Sequence, residues 1–281
     1  MQSNSGIVPL RDVELHYDVF GSGRPLLLLS GGPGASPEYL YPLVDDLYDE
    51  WQCIVFHQRG TGRSVLEHFD EENINLRTAV DDVESLRKHV NIDQWTIIGH
   101  SWGGMLGAAY AASYPDRTTA LIFVGSPGTD YSCSEYANDN LLSYLTLEER
   151  RIIEHWSRAE RIEDPEAQRH ISMAYAPSCV FDRTLEPVVA KIFMSINSKM
   201  ESLIKQSLKQ EQFNVTEPLS SFTKPVTIIQ GRQDYIGEGA AIRLQAAFSK
   251  SKLIWIERAS HFPWLDQPKV FRQALIAALS R

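Results

Sequence analysis

Cysteine is scarce in this chain of 281 residues: Cys53, Cys133 and Cys179 are the only three. An odd count without paired spacing argues against a disulfide-stapled scaffold and against a thiolate metal site, and it fits reduced thiols in a cytoplasmic protein. Long apolar runs are also missing, and Leu26 to Leu29 is far too short to span a bilayer. The start, Met1-Gln2-Ser3-Asn4-Ser5, has neither the basic nor the apolar stretch of a secretory leader. Positive charge is in deficit, with 27 Lys and Arg against 36 Asp and Glu and a net charge of −9. Without a basic stripe, neither nucleic acid nor an anionic membrane is an expected partner. His16, His68, His89, His155 and His170 are scattered without ligand spacing, so no metal is expected. Gly60-x-Gly62 is too short for a dinucleotide fingerprint, and no cofactor is expected. There is no internal repeat and no low-complexity segment.

What is present suffices for a large core. Hydrophobic residues make up 43% of the chain, which is long enough for one large domain or a domain with an insertion. Val13 to Phe20 alternates apolar and polar residues, as an exposed antiparallel strand would. Pro25 to Leu29, Gln52 to Phe56, Trp95 to Ile98 and Ala120 to Val124 are apolar runs expected of buried strands. Helical patterns separate them, over 37–48, over Leu76 to Val90 with Val80, Val83, Leu86 and Val90 on one stripe, and over Met105 to Ser113. The alternation predicts an α/β protein with a mostly parallel sheet covered on both faces.

The rhythm breaks over 128–222, which is helical in pattern and poor in strands. Tyr144 to Arg158, Pro165 to Tyr175 and Leu185 to Gln210 read as its helices. The expected organisation is a core over 1–127, an inserted helical cap over 128–222, and the rest of the core over 223–281. The cap carries 15 Asp and Glu against 10 Lys and Arg. Most of these charges read as a solvated helical surface, while an acid or two facing inward would suit a cationic substrate. Strands over Pro225 to Gln230 and Lys252 to Ile256 resume the sheet, with helices over Ala240 to Phe248 and Pro268 to Leu279.

The chemistry gathers at Gly99-His100-Ser101-Trp102-Gly103-Gly104, where a strand pattern turns abruptly into a helix pattern. Gly-x-Ser-x-Gly in that context is a nucleophile elbow, which lifts a serine above the sheet on a strained turn flanked by residues without bulk. The helix that follows aims its first N–H groups at the same spot. A serine needs a base, and the base needs an orienting carboxylate. In the elbow fold these follow in the order Ser, Asp or Glu, His. Asp234 lies just past the next strand end and His261 past the one after, with Asp130 as the fallback acid. Both positions are at carboxyl ends of strands, where open α/β sheets bind ligands. The oxyanion needs two donors, the Trp102 N–H and one from the Gly31-Gly32 turn, with Gly32 favoured. His100 reads as a packed elbow residue rather than a second base. Gly31, Tyr235 and Trp264 are candidates for the substrate pocket.

These pieces resemble the α/β-hydrolase family, and within it the proline iminopeptidase branch. The resemblance is carried by Gly31-Gly32-Pro33-Gly34, by Gln58-Arg59-Gly60-Thr61-Gly62-Arg63-Ser64, by the elbow, and by Asp234 and His261. It covers about two-thirds of the chain and is weak across the cap. Ser30 and His57 stand where the family usually has His and Asp. The resemblance implies that Arg59 and Arg63 are structural, and that acidic residues, one of them from the cap, hold a substrate's free amine. Glu135, Glu148, Glu149, Glu154, Glu201 and Glu211 are the candidates, and Tyr235 occupies a position that is acidic in some relatives. The expected activity is that of a serine hydrolase working through an acyl-enzyme, first of all an aminopeptidase on short peptides. An esterase, lactonase or carbon–carbon bond hydrolase on small carbonyl compounds is the alternative, and a non-catalytic binding protein on the same scaffold is the reading from a different class.

Overall fold

The computed structural model describes residues 3–45, 47–158 and 164–281. Met1 and Gln2 of the expected leaderless start, position 46 of the helical pattern over 37–48 and residues 159–163 of the expected cap lie outside the described residues. Eight strands form one sheet in the order β1-β2-β4-β3-β5-β6-β7-β8. They are β1 Ser3–Pro9, β2 Glu14–Phe20, β3 Arg24–Leu29, β4 Trp51–Phe56, β5 Trp95–His100, β6 Thr118–Val124, β7 Val226–Gly231 and β8 Ser251–Ile256. The pairs β1–β2 and β2–β4 are antiparallel and the remaining pairs are parallel.

Strand periodicity divides the apolar residues between two faces. Leu27, Leu29 and Ile97 point to one side, where Val83 and Leu86 of α2 (Leu76–His89) and Leu106 and Tyr110 of α3 (Trp102–Ser113) bury them. Leu26, Leu28 and Ile98 point to the other, against Leu43 and Val44 of the short α1 (Tyr41–Val44) and Phe271 and Leu275 near the C-terminus. Both faces being covered explains why β3, β5 and β7 are continuous apolar runs.

The register sets the level of the site. Leu29 stands opposite Phe56 on one side and Gly99 on the other, and Gly99 stands opposite Phe123. Ser30, His57, His100 and Val124 therefore leave the sheet in one layer at its carboxyl edge. From β3 the chain crosses outward to β4, then back over to β5, so a crevice opens between the ends of β3 and β5.

Between β6 and β7 lie α4 Ala137–Ser143, α5 Leu147–Trp156, α6 Pro165–Tyr175, α7 Glu186–Met194, α8 Ser198–Gln210 and α9 Thr216–Leu219. The two ends of this excursion are stitched together. The Val215 N–H donates to the Thr129 carbonyl at 2.8 Å, and the Tyr131 N–H donates to that of Phe213 at 3.1 Å. After β7 come α10 Glu238–Ala246, α11 Pro263–Asp266 and α12 Pro268–Leu279. Among the described residues no helix is long and apolar enough to cross a membrane.

Several boundaries differ from expectation. The pattern over 37–48 forms only a 3-10 turn, Pro37–Leu40, and α1, because Pro42 lacks an N–H and its ring opposes the carbonyl four residues back. The pattern over 185–210 is two helices. The first ends at Met194 with Ser195 as its C-cap, and Asn197 caps the second, its side chain accepting from the Lys199 and Met200 N–H groups at 3.1 and 3.2 Å. β1 and α4 carry too little apolar periodicity to be read from sequence.

Candidate active site

Ser101 joins β5 to α3 with φ 54° and ψ −123°, a conformation that L residues rarely hold. The turn closes tightly. A Cβ at Gly99 would meet the Gly103 carbonyl oxygen at 2.3 Å, and a Cβ at Gly103 would meet that of Leu29 at 2.2 Å. Only glycine allows this approach. The Ser101 N–H donates to the Val124 carbonyl at 2.9 Å, which fixes the turn to the end of β6.

Asp234 and His261 come from loops after β7 and β8, and both are buried. His261 Nδ1 lies 3.0 and 3.1 Å from the two Asp234 oxygens. Oδ1 also accepts the Ile236 N–H at 3.0 Å, and Oδ2 accepts from Gln230 Nε2 at 2.8 Å. A carboxylate so surrounded by donors only accepts, so Nδ1 carries a proton. The His261 ring lies 4.7 Å from that of His100, the residue before Ser101. A Cβ at Gly125, next to Val124, would fall 3.0 Å from Asp234 Oδ2 and 3.2 Å from His261 Nδ1. The sheet thus gathers all three expected residues at one edge. The Asp234–His261 bond is formed, whereas among the described residues Ser101 Oγ makes no hydrogen bond to His261.

Two hydrogen-bond chains, one part-buried and one buried, tie the Ser30–Gly34 loop to the elbow. In the first, the Gly31 N–H donates to Tyr39 Oη at 2.6 Å, and Tyr39 Oη lies 2.8 Å from His100 Nδ1. His100 Nε2 lies 3.0 Å from the His261 carbonyl oxygen. That oxygen can only accept, so Nε2 carries the proton and Nδ1 accepts from the Tyr39 hydroxyl. Burial, followed by the neighbouring His261, holds the His100 pKa well below the ordinary histidine range. His100 is thus a neutral structural link, as its sequence context implied. In the second chain, the Trp102 indole N–H donates to Gln58 Oε1 at 2.8 Å, and Gln58 Nε2 donates to the Ser30 carbonyl at 2.8 Å and to Ser30 Oγ at 3.0 Å.

Gly31 is therefore committed to Tyr39, which leaves Gly32 as the uncommitted N–H of the Gly31-Gly32 pair. Trp102 opens α3, so its backbone N–H has no intrahelical acceptor. The Tyr235 ring packs 4.8 Å from His261. Trp264 stacks on Tyr39 at 6.2 Å and meets His100 edge-on at 4.9 Å, which puts it behind the elbow histidine.

The acidic candidates separate. Glu149 is consumed by the Thr146 capping box and by Arg183. Glu211 accepts from Ser207, and Glu135, Glu148 and Glu154 are exposed. Glu201 on α8 is half-buried and paired with Lys205 Nζ at 2.6 Å. Its charge reaches Tyr235, whose hydroxyl burial pushes far up, helped by Cys179, Asp234, Cys133 and Glu201. Arg59 clamps Asp82 at 2.8 and 2.7 Å, and Arg63 bonds Asp18, so both arginines hold loops.

His57 is fully buried, with Nε2 3.2 Å from Asp18 Oδ2 and the Arg63 N–H donating to Nδ1 at 3.2 Å. Burial lowers its pKa against the pull of Asp18. His57 and His100 therefore bind protons less readily in the folded chain than in the unfolded one, where histidines titrate near pH 6.5. The unfolded chain takes up their protons first as pH falls, so stability is full above about pH 6.5 and declines below it. Each histidine contributes a slope of up to about 1.4 kcal/mol per pH unit there. Scanning calorimetry between pH 7.5 and 5 is expected to show Tm falling once pH drops below about 6.5; a flat Tm would contradict the neutral assignment.

Residues 24–268 match the family described as alpha/beta hydrolase fold. The chain belongs to the α/β-hydrolase family. It is similar to the proline iminopeptidase of Saccharolobus solfataricus, at 27% identity over 263 residues, covering 90% of this chain and 84% of that protein. The proline iminopeptidase of Lactobacillus helveticus is 26% identical over 282 residues, covering 95% of this chain and 94% of the relative. Among solved structures, VinJ superposes with a TM-score of 0.82 at 23% identity, covering 99% of this chain and 98% of the other. That likeness speaks for the fold alone. The expected fold class and the proline iminopeptidase-like branch are both supported by these matches.

Gln58 and Tyr39 were not singled out from sequence. Each is one polar residue in a loop, and its role depends on partners 28 and 44 positions away for Gln58 and 61 for Tyr39. The Gln-Arg-Gly motif was visible, but the bonds its glutamine makes were not.

Proposed function

We propose that this hydrolase is a serine enzyme with Ser101 as nucleophile, His261 as base and Asp234 as orienting acid. The observation that carries the reading is the saturated Asp234 carboxylate holding His261 Nδ1–H, with the His261 ring 4.7 Å from that of His100, the residue before a serine on a strained elbow. His261 Nε2 takes the hydroxyl proton as Ser101 Oγ attacks the carbonyl carbon. The oxyanion rests on the N–H groups of Trp102 and Gly32. His261 then passes the proton to the leaving amine, and water clears the acyl-enzyme by the same route.

For the substrate, the proposal is release of N-terminal residues, proline among them, from short peptides. The proline iminopeptidases that match most of the chain support it, as does Glu201 as the acid available to a substrate amine in exchange for Lys205. Residues 128–222 then act as the cap. Its α8 is anchored where Asn197 bonds Gly34 and Gly60. Three free buried thiols fit a cytoplasmic setting.

The test is a panel of aminoacyl anilides, prolyl included, beside short acyl esters. Free-amine anilides are expected to dominate, with N-acetylation lowering kcat/KM by about 10²-fold or more as Glu201 loses its partner. Glu201→Gln is expected to raise KM for free-amine substrates about tenfold and to leave esters unchanged. A preference for uncharged esters would overturn the aminopeptidase assignment and leave the serine chemistry standing.

A further inference from the structure

We infer that Gln58 is a positioning residue that sets the spacing of the two oxyanion donors. The inference rests on the serine-hydrolase reading above. One proposed donor, the Trp102 N–H, belongs to the elbow. The other, the Gly32 N–H, belongs to the loop after β3. No covalent path shorter than the whole of β4, α2 and β5 joins these segments. Gln58 spans them with one amide: its Oε1 takes the Trp102 indole N–H at 2.8 Å, and its Nε2 gives to the Ser30 carbonyl at 2.8 Å and Ser30 Oγ at 3.0 Å.

The chemistry of the partners allows a single orientation. An indole N–H can only donate and a backbone carbonyl can only accept, so the amide cannot flip without opposing like groups at both ends. Gln58, Trp102 and Ser30 are 3%, 2% and 0% exposed. No solvent competes for these bonds, and an unmade one costs the full desolvation of its group. The bridge is itself held, since the Gln58 carbonyl accepts from the Thr61 N–H at 2.9 Å and Thr61 Oγ1 at 2.8 Å. Opposite it, the Tyr39–His100 chain holds Gly31, so the loop is tied at two consecutive residues. Donors to a developing charge act only when they stand where that charge will be, which makes this spacing a catalytic quantity rather than a packing detail.

The test is the rate of active-site phosphonylation by a fluorophosphonate, whose phosphoryl oxygen occupies the oxyanion position. Wild type is expected to label at Ser101 and Ser101→Ala not to label. Gln58→Leu orphans the Trp102 indole N–H and the Ser30 carbonyl, so its Tm is expected to fall, but at a temperature where circular dichroism shows it folded it is expected to label at the same serine about 10- to 100-fold more slowly, and to lose kcat with KM within about threefold. Gln58→Glu supplies a second readout. Its buried carboxylate cannot donate to Ser30, but its protonated acid can donate there and still accept from Trp102. Its labelling rate relative to wild type is therefore expected to rise about tenfold or more from pH 8 to pH 5.5. Labelling of Gln58→Leu at the wild-type rate overturns the inference and keeps the serine reading. If Gln58→Leu does not fold, a Gln58→Glu ratio that stays flat with pH overturns it. Wild-type protein that does not label at Ser101 overturns the serine reading itself.

Discussion

Ser101→Ala is expected to remove turnover, with kcat falling by at least about 10⁴-fold on the best substrate. The nucleophile opens the acyl-enzyme route, and what survives without it is the weaker stabilisation supplied by the oxyanion donors and binding. The same substitution is expected to leave Tm within about 2 °C of wild type, because removing a hydroxyl that makes no hydrogen bond leaves no buried partner unsatisfied. The structure gives the reason. The turn is held by backbone bonds, Ser101 N–H to Val124 and Gly104 N–H to the Ser101 carbonyl, both at 2.9 Å, while among the described residues the hydroxyl makes no hydrogen bond. Activity loss with an unchanged melting curve marks the hydroxyl as chemical rather than architectural. Retained turnover would remove Ser101 from the mechanism.

Asp234→Asn is expected to lower kcat by about 10⁴-fold with a smaller effect on KM. An amide in place of the carboxylate turns one acceptor into a donor. At Oδ1 the new N–H would oppose the Ile236 N–H, which sits 3.0 Å away and cannot turn. At Oδ2 it would meet Gln230 Nε2 at 2.8 Å, and that amide can rotate, since among the described residues Gln230 Oε1 has no partner. The chain can therefore fold with the asparagine nitrogen at the Oδ2 position. His261 then faces a neutral group, one atom of which is a donor, so the anion that steadies the imidazolium is gone and the Nδ1–H tautomer loses its support. Circular dichroism is expected to show a native fold, and turnover measurements the loss. A residual rate above about one-tenth of wild type would show that His261 does not need its carboxylate.

The parts legible in the sequence were those fixed by local chemistry or by burial on two faces. β3, β5 and β7 read as strands because helices cover both their sides. The elbow read as an elbow because no side chain fits at Gly99 or Gly103. Asp234 and His261 followed from chain order and strand ends, and the structure joins them. β1 was missed because Ser-Asn-Ser-Gly-Ile-Val-Pro owes its strand form to pairing with β2 at a sheet edge rather than to its own pattern. The break between α7 and α8 was missed because apolar periodicity runs through it, and only the capping bonds of Asn197 show that the helix restarts. Nothing about Ser30, Gln58, Tyr39 or His100 in isolation says that they meet. Such a network is a property of folded distances, and a sequence holds those only implicitly.

Asn197 does more than start α8. Its N–H binds the Gly34 carbonyl and its Nδ2 binds that of Gly60, both at 3.0 Å, while a Cβ on Gly34 would strike the Asn197 carbonyl oxygen at 2.7 Å. Swinging this end of α8 outward would drag the glycine hairpin with it and scatter the groups awaiting the reactant. The start of α8 is thus riveted to two separate loops at once, and neither can shift by itself without breaking a backbone-anchored bond.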